Sequence, residues 1–200
     1  MTAPRTLVLA CGALIHELQA VRDLNDLTDL TIECLPASLH MHPERIPAEM
    51  RRRLDRATAE YDRILIGYAD CGTAGALDEI CAEYEVTRLE GAHCYEFFAG
   101  TDRFHERHAD DPTIFYLTDF LARHFDRFVM DGLGINKHPQ LLDAYFGNYT
   151  KVVYLAQTDD ARLDAYAEAA AATLGLQYER VSTGYGDMTE QVVAFAGSTA

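Results

Sequence analysis

The chain has 200 residues, 48% of them hydrophobic and 24% charged, a balance that excludes wholesale disorder and coiled coil and leaves room for a sizeable core without disulfides. Its formal net charge is −15, with only two lysines (Lys137 and Lys151), and a surface that acidic repels phosphate backbones, so no nucleic-acid partner is expected. No apolar run nears the roughly 20 residues that span a bilayer, and residues 6–18, broken by His16 and Glu17, lack the basic head and cleavage site of a secretory signal. No membrane is expected, and a cytoplasmic location is.

Apolar runs of strand length alternate with helical patterns along the chain. Residues 6–10 (TLVLA) read as a buried strand, 13–20 as a helix and 30–34 (LTIEC) as a second strand, followed by a Pro- and His-rich loop. Pro47 suits the first turn of a helix running to Tyr61, whose Met50, Leu54 and Tyr61 face inward and whose Arg51, Arg52 and Arg53 form a solvated face. Residues 63–68 (RILIGY) are a third strand, and Leu77, Ile80, Cys81 and Tyr84 mark one face of the helix after it.

Residues 86–90 form a shorter strand and 113–117 (TIFYL) a stronger one, with Thr118 and Asp119 as caps of a helix over 120–130. A short amphipathic helix lies between His138-Pro139 and Phe146-Gly147. Residues 151–156 (KVVYLA) are another strand. Asp159 or Asp160 opens a helix with Leu163, Tyr166, Ala167, Ala170 and Leu174 on one face, Gly175 ends it, and 177–182 form the last strand. Strands alternating with helices predict a single α/β domain over 1–200. Its expected core is a mostly parallel, Rossmann-like sheet of about six or seven strands with helices on both faces, in two pseudo-related halves.

In such a sheet, ligands bind beyond the carboxyl ends of the strands. There the chain places Cys11-Gly12, Asp70-Cys71-Gly72-Thr73 and His93-Cys94-Tyr95-Glu96. Three of the five cysteines thus come to one sheet edge, and without a secretion signal a disulfide framework is not expected. Cys34 and Cys81 read as packing residues. For Cys11, Cys71 and Cys94 three readings stand side by side. They are small buried hydrophobes; or, with His93 or His40, soft ligands of Zn²⁺ or an iron–sulfur cluster; or thiols doing nucleophilic or acid–base chemistry across a cleft.

Glu17, on the first helix, and Glu96 are candidate proton-transfer groups. Gly12, Gly72 and Thr73 at these strand ends, and Gly184 and Gly186 after the last strand, are candidate cofactor-binding residues, the glycines allowing close backbone approach. The segment TGYGD is no dinucleotide fingerprint, because no further strand follows to complete the unit.

The strings CGALIHEL, LPASLHMHPERIP, YADCGTAGALD, GAHCYEFFAG, FYLTDFLARHFD, HPQLLDAYFGNYTKVVYLAQ and STGYGD together resemble domain-of-unknown-function family 1638 over residues 7–187. The matched positions include Cys11, Glu17, His40, Cys71, His93, Cys94 and Glu96. The resemblance implies a setting beside corrinoid-dependent methyltransferases, hence a corrinoid protein or methyltransferase as partner and one-carbon metabolism as context.

Three functions follow as expectations. The first is a zinc–thiolate protein acting on a small metabolite, with methyl transfer the favoured chemistry. The second is a metal-free two-cysteine acid–base enzyme, laid out like the two-thiol racemases with Cys11 and Cys71 facing each other. The third is a non-catalytic carrier of a corrinoid or metal.

Overall fold

A computed structural model describes residues 4–198. The chain is α/β, with its strands in two parallel sheets of four and three rather than the expected one sheet of six or seven. Residues 4–97 together with 185–198 form one compact unit, and residues 98–184 form a second.

The first unit is built on β1 (Thr6–Cys11), β2 (Leu30–Leu35), β3 (Arg63–Gly67) and β4 (Thr87–Arg88), in the order β2-β1-β3-β4. All six residues of β1 are buried, as expected for a strand with neighbours on both sides and a TLVLAC sequence. The strand expected over 86–90 shrinks to two paired residues at the sheet edge. A 3-10 turn (Gly12–Leu14) leads from β1 into α1 (Ile15–Leu24), which buries Leu18 and Val21.

α2 (Ile46–Glu60) carries Pro47 in its first turn and buries Ile46, Met50, Leu54 and Ala57; Tyr61, just beyond it, is half-buried. Arg51 and Arg53 do not simply face water: they pair with Glu83 and Glu33. α3 (Ala76–Tyr84) buries Leu77 and Ile80. α4 (Cys94–Ala99) then carries the chain toward the second unit.

The second unit holds α5 (Thr101–Asp110) and strands β5 (Ile114–Leu117), β6 (Lys151–Ala156) and β7 (Gln177–Ser182), in the order β5-β6-β7. α5 carries only one buried residue, Phe104, so no apolar stripe announces it in the sequence. The helix expected over 120–130 is split into α6 (Asp119–Arg123) and a π-helical turn at Asp126–Met130, where Asp131 N–H reaches back five residues to the Asp126 carbonyl at 2.7 Å.

α7 (Leu141–Phe146) and α8 (Ala161–Leu174) complete this unit. Asp160 caps α8 by accepting from Arg162 N–H, and Gly175 ends it at φ +69°. Leu163, Ala167, Ala170 and Leu174 are buried as expected, but Tyr166 is 52% exposed and lies off that face.

The chain then returns to the first unit through α9 (Asp187–Gly197), where the sequence suggests only a polar tail. Met188 and Val192 are fully buried, and the Arg63 guanidinium donates to the Ser198 carbonyl (2.5 Å) and to that of Phe195 while stacking on the Phe195 ring. A cation at a helix C-terminus is favourably placed against the helix dipole. None of the helices among the described residues is long and apolar enough to cross a membrane.

Candidate functional site at the ends of β1 and β3

In the order β2-β1-β3-β4 the chain winds outward from β1 toward β2 and from β3 toward β4, so the crevice of this sheet opens beyond the carboxyl ends of β1 and β3. Cys11 is the last residue of β1, opposite Leu35 of β2, and is 2% exposed. Its sulfur accepts from Ala13 N–H at 3.3 Å and so caps the 3-10 turn that follows. Gly12 is needed for packing here: a Cβ would stand 2.8 Å from the Leu35 carbonyl oxygen and 3.0 Å from Ala37 N.

The loop after β2 forms a short 3-10 segment (Ala37–Met41) that brings His40 back over β1. His40 Nδ1 lies 3.3 Å from Cys11 Sγ. The histidine is exposed and the cysteine is not, so His40 stands between the buried thiol and solvent. Burial pushes the Cys11 thiol up to about 12, against a partial lowering by Ala13 N–H and a further rise from the neighbouring Cys71. Although the residue as a whole is exposed, desolvation where its ring packs against the protein lowers His40 from its usual value, partly offset by a hydrogen bond with the Ala37 backbone. Both shifts favour the uncharged forms, so the resting pair is neutral, with the thiol as the natural donor and Nδ1 as acceptor.

Beyond β3 the chain makes a strained loop. Cys71 (φ +51°) and Ala74 (φ +55°) adopt left-handed conformations that non-glycine residues seldom hold, and Gly72 and Gly75 are left-handed as well. Asp70 holds this loop together, its carboxylate accepting from Thr73 Oγ1 (2.9 Å), Ala74 N–H (3.2 Å) and Gly75 N–H (2.8 Å). Burial alone would raise Asp70, but these bonds and the nearby Arg88 outweigh it and hold the carboxyl below its usual range. Thr73 is therefore a brace of the Cys71 loop, and burial pushes Cys71 itself up to about 11.

Two backbone bonds, Asp70 N–H to the Gly91 carbonyl and Cys71 N–H to the Ala92 carbonyl, seat the loop after β4 beside the Cys71 loop. Cys94, at the start of α4, comes near Cys71 in this way; burial raises its thiol well above the usual value, and Cys71, Cys11 and Glu17 raise it further. Glu96 is buried, accepts from Ala92 N–H at 2.7 Å and fills the space over Gly91, where a Cβ would meet its carboxylate at 3.1 Å. Glu17 is buried on α1. His93 is exposed, its ring centroid 6.3 Å from that of Tyr95.

Cys11, His40, Cys71, Cys94 and Glu17 thus gather on one sheet edge. Among the described residues, however, no group of three or more His, Cys, Asp or Glu side chains is arranged so as to hold a metal ion. Cys34, on the outer strand β2, is exposed rather than packed. Gly184 (φ +57°) ends the second unit, and Gly186 (φ +51°) is the cap residue of α9.

Tyr68 goes unnoticed in the sequence, where it reads as the end of the apolar run RILIGY. It is 1% exposed, and its hydroxyl makes no hydrogen bond of ordinary geometry with any described residue. Burial raises its phenol, and the Cys11 thiol beside it raises it further.

The second unit carries a different polar knot at the ends of β5 and β6. The buried Asp119 accepts from Tyr154 Oη (2.6 Å), Gln157 N–H (3.0 Å) and Thr158 Oγ1 (2.5 Å), while Thr118 caps α6 through Leu121 N–H. Every one of these partners lies on β6 or just after it, so Asp119, which follows β5, acts as a brace between the two strands.

A family model described as a protein of unknown function (DUF1638) matches residues 34–192. Neither curated proteins nor solved structures return a match. The matched span runs from the last two residues of β2 to Val192 in α9, with His40, Cys71 and Cys94 inside it, and on that match the chain belongs to the DUF1638 family.

Proposed function

We propose that the first unit is a metal-free thiol acid–base enzyme acting on a small polar metabolite, with Cys11 and His40 as its working pair and Cys71 as a second thiol. The observation that carries this reading is the 3.3 Å contact between Cys11 Sγ and His40 Nδ1 at the switch point of the sheet. The order β2-β1-β3-β4 supports it, being the start of a doubly wound, Rossmann-like order whose ligand sits at the β1/β3 crevice.

The proton inventory closes within these residues. His40 takes the Cys11 proton, the thiolate removes a proton from an acidic C–H of the substrate, and the electron pair stays on the substrate as a carbanion or enolate. The Cys71 thiol returns a proton to carbon, Cys11 is already a thiol again, and the proton held on His40 passes through solvent to the Cys71 thiolate, which restores the resting state. A thiol held protonated at rest suits this work, since the thiolate then forms only when its base and the substrate are in place.

The test is exchange in D₂O, with a panel of small amino and hydroxy acids followed by proton NMR. Loss of an α-proton signal is expected with the native chain, and its absence in both Cys11→Ser and His40→Ala. Exchange that persists in either variant overturns the assignment.

A second reading, a zinc–thiolate site for methyl transfer in corrinoid-linked metabolism, draws on the mutual influence of Cys11, Cys71 and Cys94. The side chains do not stand in a ligating arrangement, so no step is derived through a metal. About one equivalent of zinc in protein purified without oxygen, together with activity lost to a chelator, would favour it.

A further inference from the structure

We infer that the Tyr68 hydroxyl and the Ala13 N–H are the paired donors that receive the Cys11 thiolate when it forms, which makes Tyr68 a positioning residue of this site. The inference rests on the acid–base reading above and adds to it the group that stabilises the charged sulfur.

The strand register brings the two side chains together. Ala10 of β1 is the register partner of Gly67 of β3, and one step further along both chains stand Cys11 and Tyr68. Parallel neighbours lie about 4.8 Å apart, and residues in register project to the same face of the sheet. The Tyr68 side chain therefore ends beside the Cys11 sulfur, on the flank opposite β2, whose following loop supplies His40.

A buried hydroxyl without a partner costs about 1–3 kcal/mol and calls for an explanation. Tyr68 Oη is such a group. While Cys11 is a thiol whose proton points to His40, sulfur is a weak acceptor and the hydroxyl gains little from it. Once the proton has moved to His40, sulfur becomes a charged acceptor. Ala13 N–H already points at it from 3.3 Å, and the hydroxyl completes a second, charge-assisted bond. A donor left idle in the ground state and engaged in the charged state favours the reactive form selectively.

Tyr68→Phe tests this in the full-length chain without substrate. The ionisation of Cys11 is read from the ultraviolet thiolate absorbance as a difference against Cys11→Ser in the same background. Loss of the hydroxyl is expected to cut the thiolate fraction at a fixed alkaline pH about tenfold or more, while thermal stability stays level or rises. An unchanged or lowered ionisation midpoint overturns the inference. A loss of stability with no midpoint change reduces Tyr68 to a packing residue and overturns it equally. Because this titration uses no substrate, it can fail while D₂O exchange persists, or succeed where exchange is never found, so the two ideas fail separately.

Discussion

At the scale of single residues, Cys11 ties the site to the stability of the protein. Its thiol is held up to about 12 in the folded chain against 9.0 for an unperturbed cysteine. A raised value means that the unfolded chain releases this proton first, so the stability tied to Cys11 is intact below pH 9.0 and drains away as pH rises toward 12. Melting temperatures across that window should fall steeply for the native chain and less steeply for Cys11→Ala, whose side chain cannot ionise. Equal slopes would show that Cys11 is not the group responsible. Much of this site was legible beforehand, because the rule about strand ends singles out Cys11, Cys71 and Cys94 wherever β1, β3 and β4 stop. What no pattern of residues reveals is reach: that His40 bends back onto Cys11, that Glu96 is occupied in bracing its own loop, or that Tyr68 points a polar tip out of an apolar run.

Among elements, the pairing of β1 with β3 carries the most weight, because it sets Cys11 beside Tyr68. Gly67 makes that pairing possible. A Cβ there would lie 2.5 Å from the Ala10 Cβ and 3.0 Å from its Cα, inside a fully buried layer where neighbours have little room to yield. Gly67→Ala should destabilise the chain by about 1–3 kcal/mol in urea unfolding, as overpacking does, and Ala10→Gly should restore part of the loss when added to it. Independent, additive effects would argue that the strands do not meet there. The buried strands β1, β3 and β6 are readable because parallel strands covered by other elements are short apolar runs between breakers. α5 buries one side chain and α9 follows a glycine-rich turn, so neither shows the stripe by which a helix is recognised. The division of seven strands into two sheets is equally silent, since a strand's composition records its burial and not its neighbours.

For the molecule as a whole, a charge of −15 on 200 residues sets a background of self-repulsion that local ion pairs, such as Arg180 with Asp159 and Asp164, relieve only in part. Moderate salt should therefore raise the melting temperature, because screening weakens the long-range repulsion more than it weakens close pairs. A flat or falling response to sodium chloride would mean that the ion pairs outweigh the repulsion. The route of the chain has a different consequence. The first unit is made of residues from both ends of the sequence, and α9, which buries Met188 and Val192 in it, is translated after every residue of the second unit. On the ribosome the second unit has all of its own chain while the first still lacks its last helix. The half that carries the cysteine edge is thus the later of the two to have all of its chain.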